Sequence, residues 1–128
     1  MKGLTIERIA VHRDGRGVLF EPIGAEALAS GALRNVHVAT MAPGAVRGGH
    51  RHLGATEQFC FCGEIAFIAQ DPLGNREKFE FTPDECVRIT IAPGIAHAAV
   101  NTGTKETFFV CFSDKAAGTD PQEKVALV

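Results

Sequence analysis

Glycine and proline divide this chain at short, repeated intervals, fourteen and six of them, and the segments between are rich in Val, Ile, Phe and Thr. β-Branched and aromatic residues suit a pleated, half-buried surface, while Gly and Pro supply turns, so the pattern predicts an all-β sandwich or barrel. Val36, Val38 and Thr40 share one side of a predicted strand, and Val87, Ile89 and Ile91 alternate with Arg88, Thr90 and Ala92 in another. Each is expected to bury one face. Glu64 to Gln70 and Arg76 to Phe81 flank Asp71-Pro72-Leu73-Gly74-Asn75, whose turn chemistry predicts a hairpin. The run Phe108 to Phe112, inside a strand from Thr107, predicts burial on both faces. The one predicted helix is Ala25 to Ser30, bounded by Gly24 and Gly31 and only one or two turns long.

A length of 128 residues with 45% hydrophobic content suits a single domain with its own core. We divide it into an N-terminal strand and short-helix extension (1–34), a core (35–113) and a polar tail (114–128) draped over the surface or a partner. The net charge of −2, with no basic run, argues against a nucleic-acid partner. No apolar run reaches membrane-spanning length and the N-terminus lacks a secretion-signal pattern, so no membrane association and a cytoplasmic location are expected. The four cysteines, Cys60, Cys62, Cys86 and Cys111, are accordingly expected to be reduced, with Cys60 and Cys62 packing between sheets or against a second subunit. There is no Trp and no Tyr, so no mechanism here can use a phenol as proton donor or nucleophile.

Three of the five histidines fall in two clusters, each behind a Pro-Gly pair: Pro43-Gly44 leads to His50 and His52, and Pro93-Gly94 leads to His97. A strand projects His50 and His52 to one face, Glu57 follows after a gap that a short turn closes, and a second strand would bring His97 beside them. Three imidazoles and one carboxylate suit Zn²⁺, Fe²⁺, Ni²⁺, Co²⁺ or Mn²⁺, with positions left for water or substrate. The competing reading is a hydrogen-bonded polar cluster without metal.

At these residues the sequence resembles the cupin superfamily. Gly44, His50, His52 and Glu57 match its first motif, with Gly63 one residue early; Pro93-Gly94-Ile95-Ala96-His97 and Asn101 match its second, with proline adjoining glycine. The resemblance covers about Asn35 to Phe112 and implies a jelly-roll barrel of two antiparallel sheets with His50, His52, Glu57 and His97 as metal ligands. A narrower likeness is to cupins of nucleotide-sugar and polysaccharide biosynthesis, among them deoxysugar epimerases and ketoisomerases. It is carried by Arg16-Gly17, Phe20-Glu21-Pro22, Asn35-Val36-His37-Val38, Arg47-Gly48-Gly49-His50-Arg51-His52 and Pro93-Gly94-Ile95-Ala96-His97-Ala98-Ala99-Val100-Asn101. The Arg-Gly-x-His segment of the 3,5-epimerases would place a base on His50, whereas their tyrosine acid has no counterpart in a chain without Tyr.

His37 lies between valines and faces opposite to them; it enters the barrel as an acid or base if they point outward, and is a structural or interface histidine otherwise. Glu57 is a second candidate base. Arg47 is a candidate phosphate contact, or a solvated charge. Phe59, Phe61 and Phe67 read as core, with Phe59 also a candidate wall for a sugar ring. His12 reads as a loop residue. These residues predict a metal-assisted epimerase or isomerase on a small carbonyl compound, most simply an activated keto-sugar. An Fe²⁺ dioxygenase and a non-catalytic cupin that binds a sugar or small acid are the alternatives. A homodimer is also expected, with Val18-Leu19-Phe20 and the end Val125 to Val128 covering strand edges across a two-fold axis.

Overall fold

A computed structural model describes all 128 residues. In chain order the elements are β1 (Leu4–Arg8), β2 (Val11–Asp14), β3 (Gly17–Phe20), α1 (Ala25–Ala29), β4 (Asn35–Met41), β5 (Val46–His52), β6 (Glu57–Cys62), β7 (Ile65–Gln70), β8 (Arg76–Glu80), β9 (Cys86–Ile91), β10 (Ala96–Asn101), β11 (Thr107–Ser113) and β12 (Gln122–Lys124). The all-β expectation and the single short helix are both met. The chain has the cupin jelly-roll architecture, with one five-stranded sheet in the order β1-β9-β6-β11-β4 and another in the order β12-β5-β10-β7-β8, all pairs antiparallel. No strand is hydrogen-bonded into both sheets, so they face each other as a sandwich with free edges rather than closing into a continuous barrel. A separate two-stranded ribbon, β2-β3, stands apart from both.

Between the sheets lie the inward residues of the alternating strands: Phe59 and Phe61 of β6, Ile65 and Phe67 of β7, Val87, Ile89 and Ile91 of β9, with Met41 and Phe109. Phe59 stacks on Phe109 with ring centroids 4.2 Å apart and meets Phe61 edge-on at 5.7 Å, the two geometries that aromatic quadrupoles favour. The turn between β7 and β8 forms because Asp71 accepts hydrogen bonds from the backbone N–H groups of Leu73 and Asn75 through Oδ1, while Gly74 takes a positive φ.

Several expectations change. β11 buries one face only: Phe109 and Cys111 point inward, while Phe108 is exposed and Val110 and Phe112 are half-buried. Its outer face is only partly covered. For the same reason Val36 and Val38 of β4, the other strand at that edge, are exposed, and the face that turns inward carries His37. His12 belongs to strand β2 rather than to a loop. The expectation of four reduced thiols fails for one pair, because the β6–β9 register sets Cys62 opposite Cys86 with Cα atoms 4.1 Å apart, and the two are joined as a disulfide. Cys60 is free and wholly buried, covered by the chain's own Pro22, whose carbonyl its thiol approaches at 3.7 Å.

Both terminal segments are built into the sheets. β1 pairs with β9 at one edge, and within the 114–128 segment β12 pairs with β5, Leu127 is buried against Ile68, Ala96 and Ala98, and Arg76 donates to the Ala126 carbonyl.

Candidate active site

The site forms where β5 and β10 meet the start of β6. His50 and His52 project from β5 to one face, as their spacing of two requires. His97 of β10 stands directly opposite His50, while its neighbour Ala98 stands opposite Gly48, so Gly49 is the extra residue of a bulge that turns His97 toward the pair. The bulge needs glycine: Gly48 has φ +88°, and a Cβ there would lie 2.7 Å from the His97 carbonyl oxygen. The Gly94 N–H, in the turn before β10, donates to the His52 carbonyl and ties the two histidine segments together. Glu57, the first residue of β6, comes from the facing sheet.

One ligand atom from each of His50, His52, Glu57 and His97 lies within 4.8 Å of all the others. Glu57 Oε1 is 3.0 Å from His52 Nε2 and 3.3 Å from His97 Nε2, and the His50 ring stands edge-on to both neighbours at 5.0 and 4.9 Å. The whole predicted quartet is therefore brought together. His97 Nδ1 lies 3.3 Å from the Ile95 carbonyl, which can only accept, so Nδ1 carries a hydrogen and Nε2 is the nitrogen turned to the carboxylate oxygen. A hydrogen on Nε2, or a cation held between the two atoms, satisfies both. Glu57 Oε1 is buried with no well-formed hydrogen bond. Three imidazole nitrogens and one carboxylate oxygen converging in this way fit a divalent transition ion.

The charges are tuned accordingly. Burial, with the neighbouring His97 and His52, pushes the His50 pKa down to about 4, so this imidazole is neutral at pH 7 with its lone pair available. Burial alone would raise the Glu57 carboxyl, but the His52 and His97 imidazoles beside it outweigh that effect and hold the group well below the usual carboxylate range. The Glu57 carboxylate beside it raises His52 against the opposing effect of burial, and Asp120 adds to the rise.

A cavity of about 150 Å³ opens over the cluster, walled by His37, Arg47, Phe59, Phe109, Cys111 and Gln122 among others. His37, itself exposed, thus lines the cavity on the face opposite the outward valines, and its Nδ1 lies 3.4 Å from Asn35 Oδ1. Phe59 is both core and cavity wall, as expected of it. Arg47 reaches the same cavity, but its Nε and Nη2 donate to the Thr40 carbonyl at 3.3 and 3.2 Å, so part of its fork is occupied in bridging β5 to β4. Three further residues were not singled out from sequence. Asp120 sets Oδ2 3.4 Å from His52 Nδ1, Gln122 lies opposite His52 in the β12–β5 register, and the Cys111 thiol lies 3.3 Å from Glu57 Oε2. Only the Asp120-Pro121 pair carried a signal, as a turn before a last short strand.

The fold is the cupin jelly roll. More closely, the chain belongs to the family described as polysaccharide biosynthesis C-terminal domain, whose model matches residues 12–123. No curated protein matches the chain. Among solved structures, it is similar to a dTDP sugar isomerase from Desulfovibrio desulfuricans, with TM-score 0.83 and 16% identity over 98% of this chain and 85% of that one. A 3'-monoepimerase from Streptomyces bikiniensis, solved in complex with dTDP-quinovose, superposes with TM-score 0.78 and 19% identity over 96% and 69%. A mutant 3,4-ketoisomerase from Thermoanaerobacterium thermosaccharolyticum, in complex with TDP-4-keto-6-deoxyglucose, gives 0.72 and 18% over 96% and 88%. At such identities the likeness establishes the fold.

Proposed function

We propose that this protein is a divalent-metal epimerase or isomerase acting on an activated keto-sugar in polysaccharide or nucleotide-sugar metabolism. The observation that carries the reading is the convergence of His50, His52, Glu57 and His97 at the base of a cavity that also presents His37 and Arg47. The family's tie to polysaccharide biosynthesis and the sugar nucleotides bound by similar structures support it. His50, His52, Glu57 and His97 would hold the ion, which when bound supplies Lewis-acid polarisation of a substrate carbonyl. With His50 and Glu57 engaged in that cluster, His37 is the imidazole left on the wall to take the proton from the carbon beside the carbonyl and return it. Phe59 and Phe109 offer an apolar wall to the ring, and the remaining N–H groups of Arg47 are available to a phosphate oxygen.

The test is proton exchange. Protein purified without chelator is analysed for metal and incubated in D₂O with TDP-4-keto-6-deoxyglucose; deuterium should enter at the carbon beside the carbonyl, stop on chelation and return with added metal. Exchange indifferent to chelation would retain the sugar reaction and remove the metal from it. No exchange across a panel of keto-sugars with the metal loaded would overturn the proposal, and oxygen uptake in its place would indicate a dioxygenase.

A further inference from the structure

Cys111 is a buried thiol in the wall of the cavity to which the proposed reaction gives no task. The register of β11 sets it between Phe59 of β6 and His37 of β4, and its sulfur reaches Glu57 Oε2 at 3.3 Å. An ionised carboxylate only accepts, so in this contact the thiol is the donor. The Phe112 carbonyl is the other acceptor in reach, at 3.9 Å, and the nearer, charged oxygen takes the proton. Glu57 is therefore divided. Oε2 belongs to the thiol, while Oε1 alone faces His52 and His97.

We propose that Cys111 is a positioning residue: its S–H holds one oxygen of Glu57 and so presents the other, singly, to the three imidazoles. Cys111 is not itself among the four residues whose ligand atoms lie together, so it acts through Glu57 rather than as a fifth ligand. The consequence for an ion rests on the metal reading above, namely that Glu57 meets it through one oxygen. The thiol–carboxylate contact does not depend on that reading. Partners of this kind around metal ligands are typically worth about 10–100-fold in metal affinity.

The experiment uses Co²⁺ as the probe, with Cys111→Ala, which removes the donor, and Cys111→Ser, which keeps one. The alanine variant should bind Co²⁺ about 10–100-fold more weakly and change its visible absorption as the freed carboxylate oxygen alters coordination, while the serine variant should restore both. Native affinity and spectrum in the alanine variant would overturn the proposal, as would a serine variant as weak as alanine, since that would mark a packing role. If the native protein takes up no Co²⁺, the metal reading fails by itself, and infrared spectroscopy of the metal-free protein decides the contact. The S–H band lost in Cys111→Ser should move to higher wavenumber in Glu57→Gln, whose neutral amide accepts more weakly; an unmoved band would overturn the assignment.

Discussion

His97 reaches the site through two glycines rather than through any property of its own side chain. Gly49 supplies the extra residue of the bulge, and Gly48 leaves room for the His97 carbonyl. Gly48→Ala places a Cβ 2.7 Å from that oxygen at a φ of +88°. It should cost at least about 1–3 kcal/mol from the backbone conformation alone, and it should weaken metal uptake by displacing His97. Chemical denaturation and elemental analysis of one preparation check both effects. His52→Ala should remove most bound metal, because it deletes a ligand and leaves Glu57 Oε1 and Asp120 Oδ2 facing an empty volume. An unchanged metal stoichiometry would overturn the ligand assignment. The four clustered residues were legible from sequence because two lie on one strand two residues apart, Glu57 follows within a turn, and His97 sits behind the second Pro-Gly pair. Asp120 and Cys111 were not, since no local pattern states that the tail returns along β5 or that β11 faces the cavity through its sulfur.

Elements whose burial is decided by local chemistry were readable, and those whose burial depends on distant neighbours were not. The β7–β8 hairpin follows from Asp71 and Gly74 within five residues of chain, whereas the five-residue apolar run of β11 suggested a covering layer that the fold provides only in part. The disulfide is a register effect of the same kind. Cys62 and Cys86 are 24 residues apart, and only the β6–β9 pairing sets them face to face. Closing such a loop restricts the unfolded chain by about 3 kcal/mol in the chain-entropy model, which for a domain of this size corresponds to roughly 10 °C in Tm. Treatment with a thiol reductant should therefore lower the melting temperature, and Cys86→Ser should reproduce the loss and abolish any further response. A native protein whose melting is indifferent to reductant would show the two thiols to be unpaired in solution. Cys60 should stay unmodified by alkylating reagents in the folded state, since burial pushes its thiol up to about 12.

At the scale of the whole molecule, the outer face of the first sheet is finished on one half only. Over β6 and β9 the segment before α1 lies down on the sheet: Pro22 covers Cys60 and accepts from Arg88 Nη1 at 2.8 Å. Over β4 and β11 the cover is incomplete. Val36, Val38 and Phe108 are 59%, 63% and 43% exposed there, and the register sets Val38 beside Val110 and Val36 beside Phe112, which makes one continuous apolar surface ending at the free edge of β4. Such a surface beside an unpaired strand edge invites another layer. We expect the layer to be the same face of a second copy, because two aliphatic and aromatic surfaces related by a two-fold axis match without any charge to pair, and cyclic dimers are the commonest closed assembly. This moves the expected contact from the terminal segments, which the chain largely uses for its own sheets, to β4 and β11; of the terminal surplus Val18, Leu19, Ala126 and Val128 remain exposed. The double substitution Val36→Lys/Val38→Lys should dissociate the dimer, because it sets like charges against each other across the axis, and it should leave the fold intact, because both side chains already face solvent in the single chain. Light scattering at micromolar concentration should give twice the chain mass for the native protein and one chain mass for the variant. A native mass of one chain would end the dimer proposal, and a variant that remains dimeric would place the contact on another face, with the β2–β3 ribbon and its exposed Leu19 next in line.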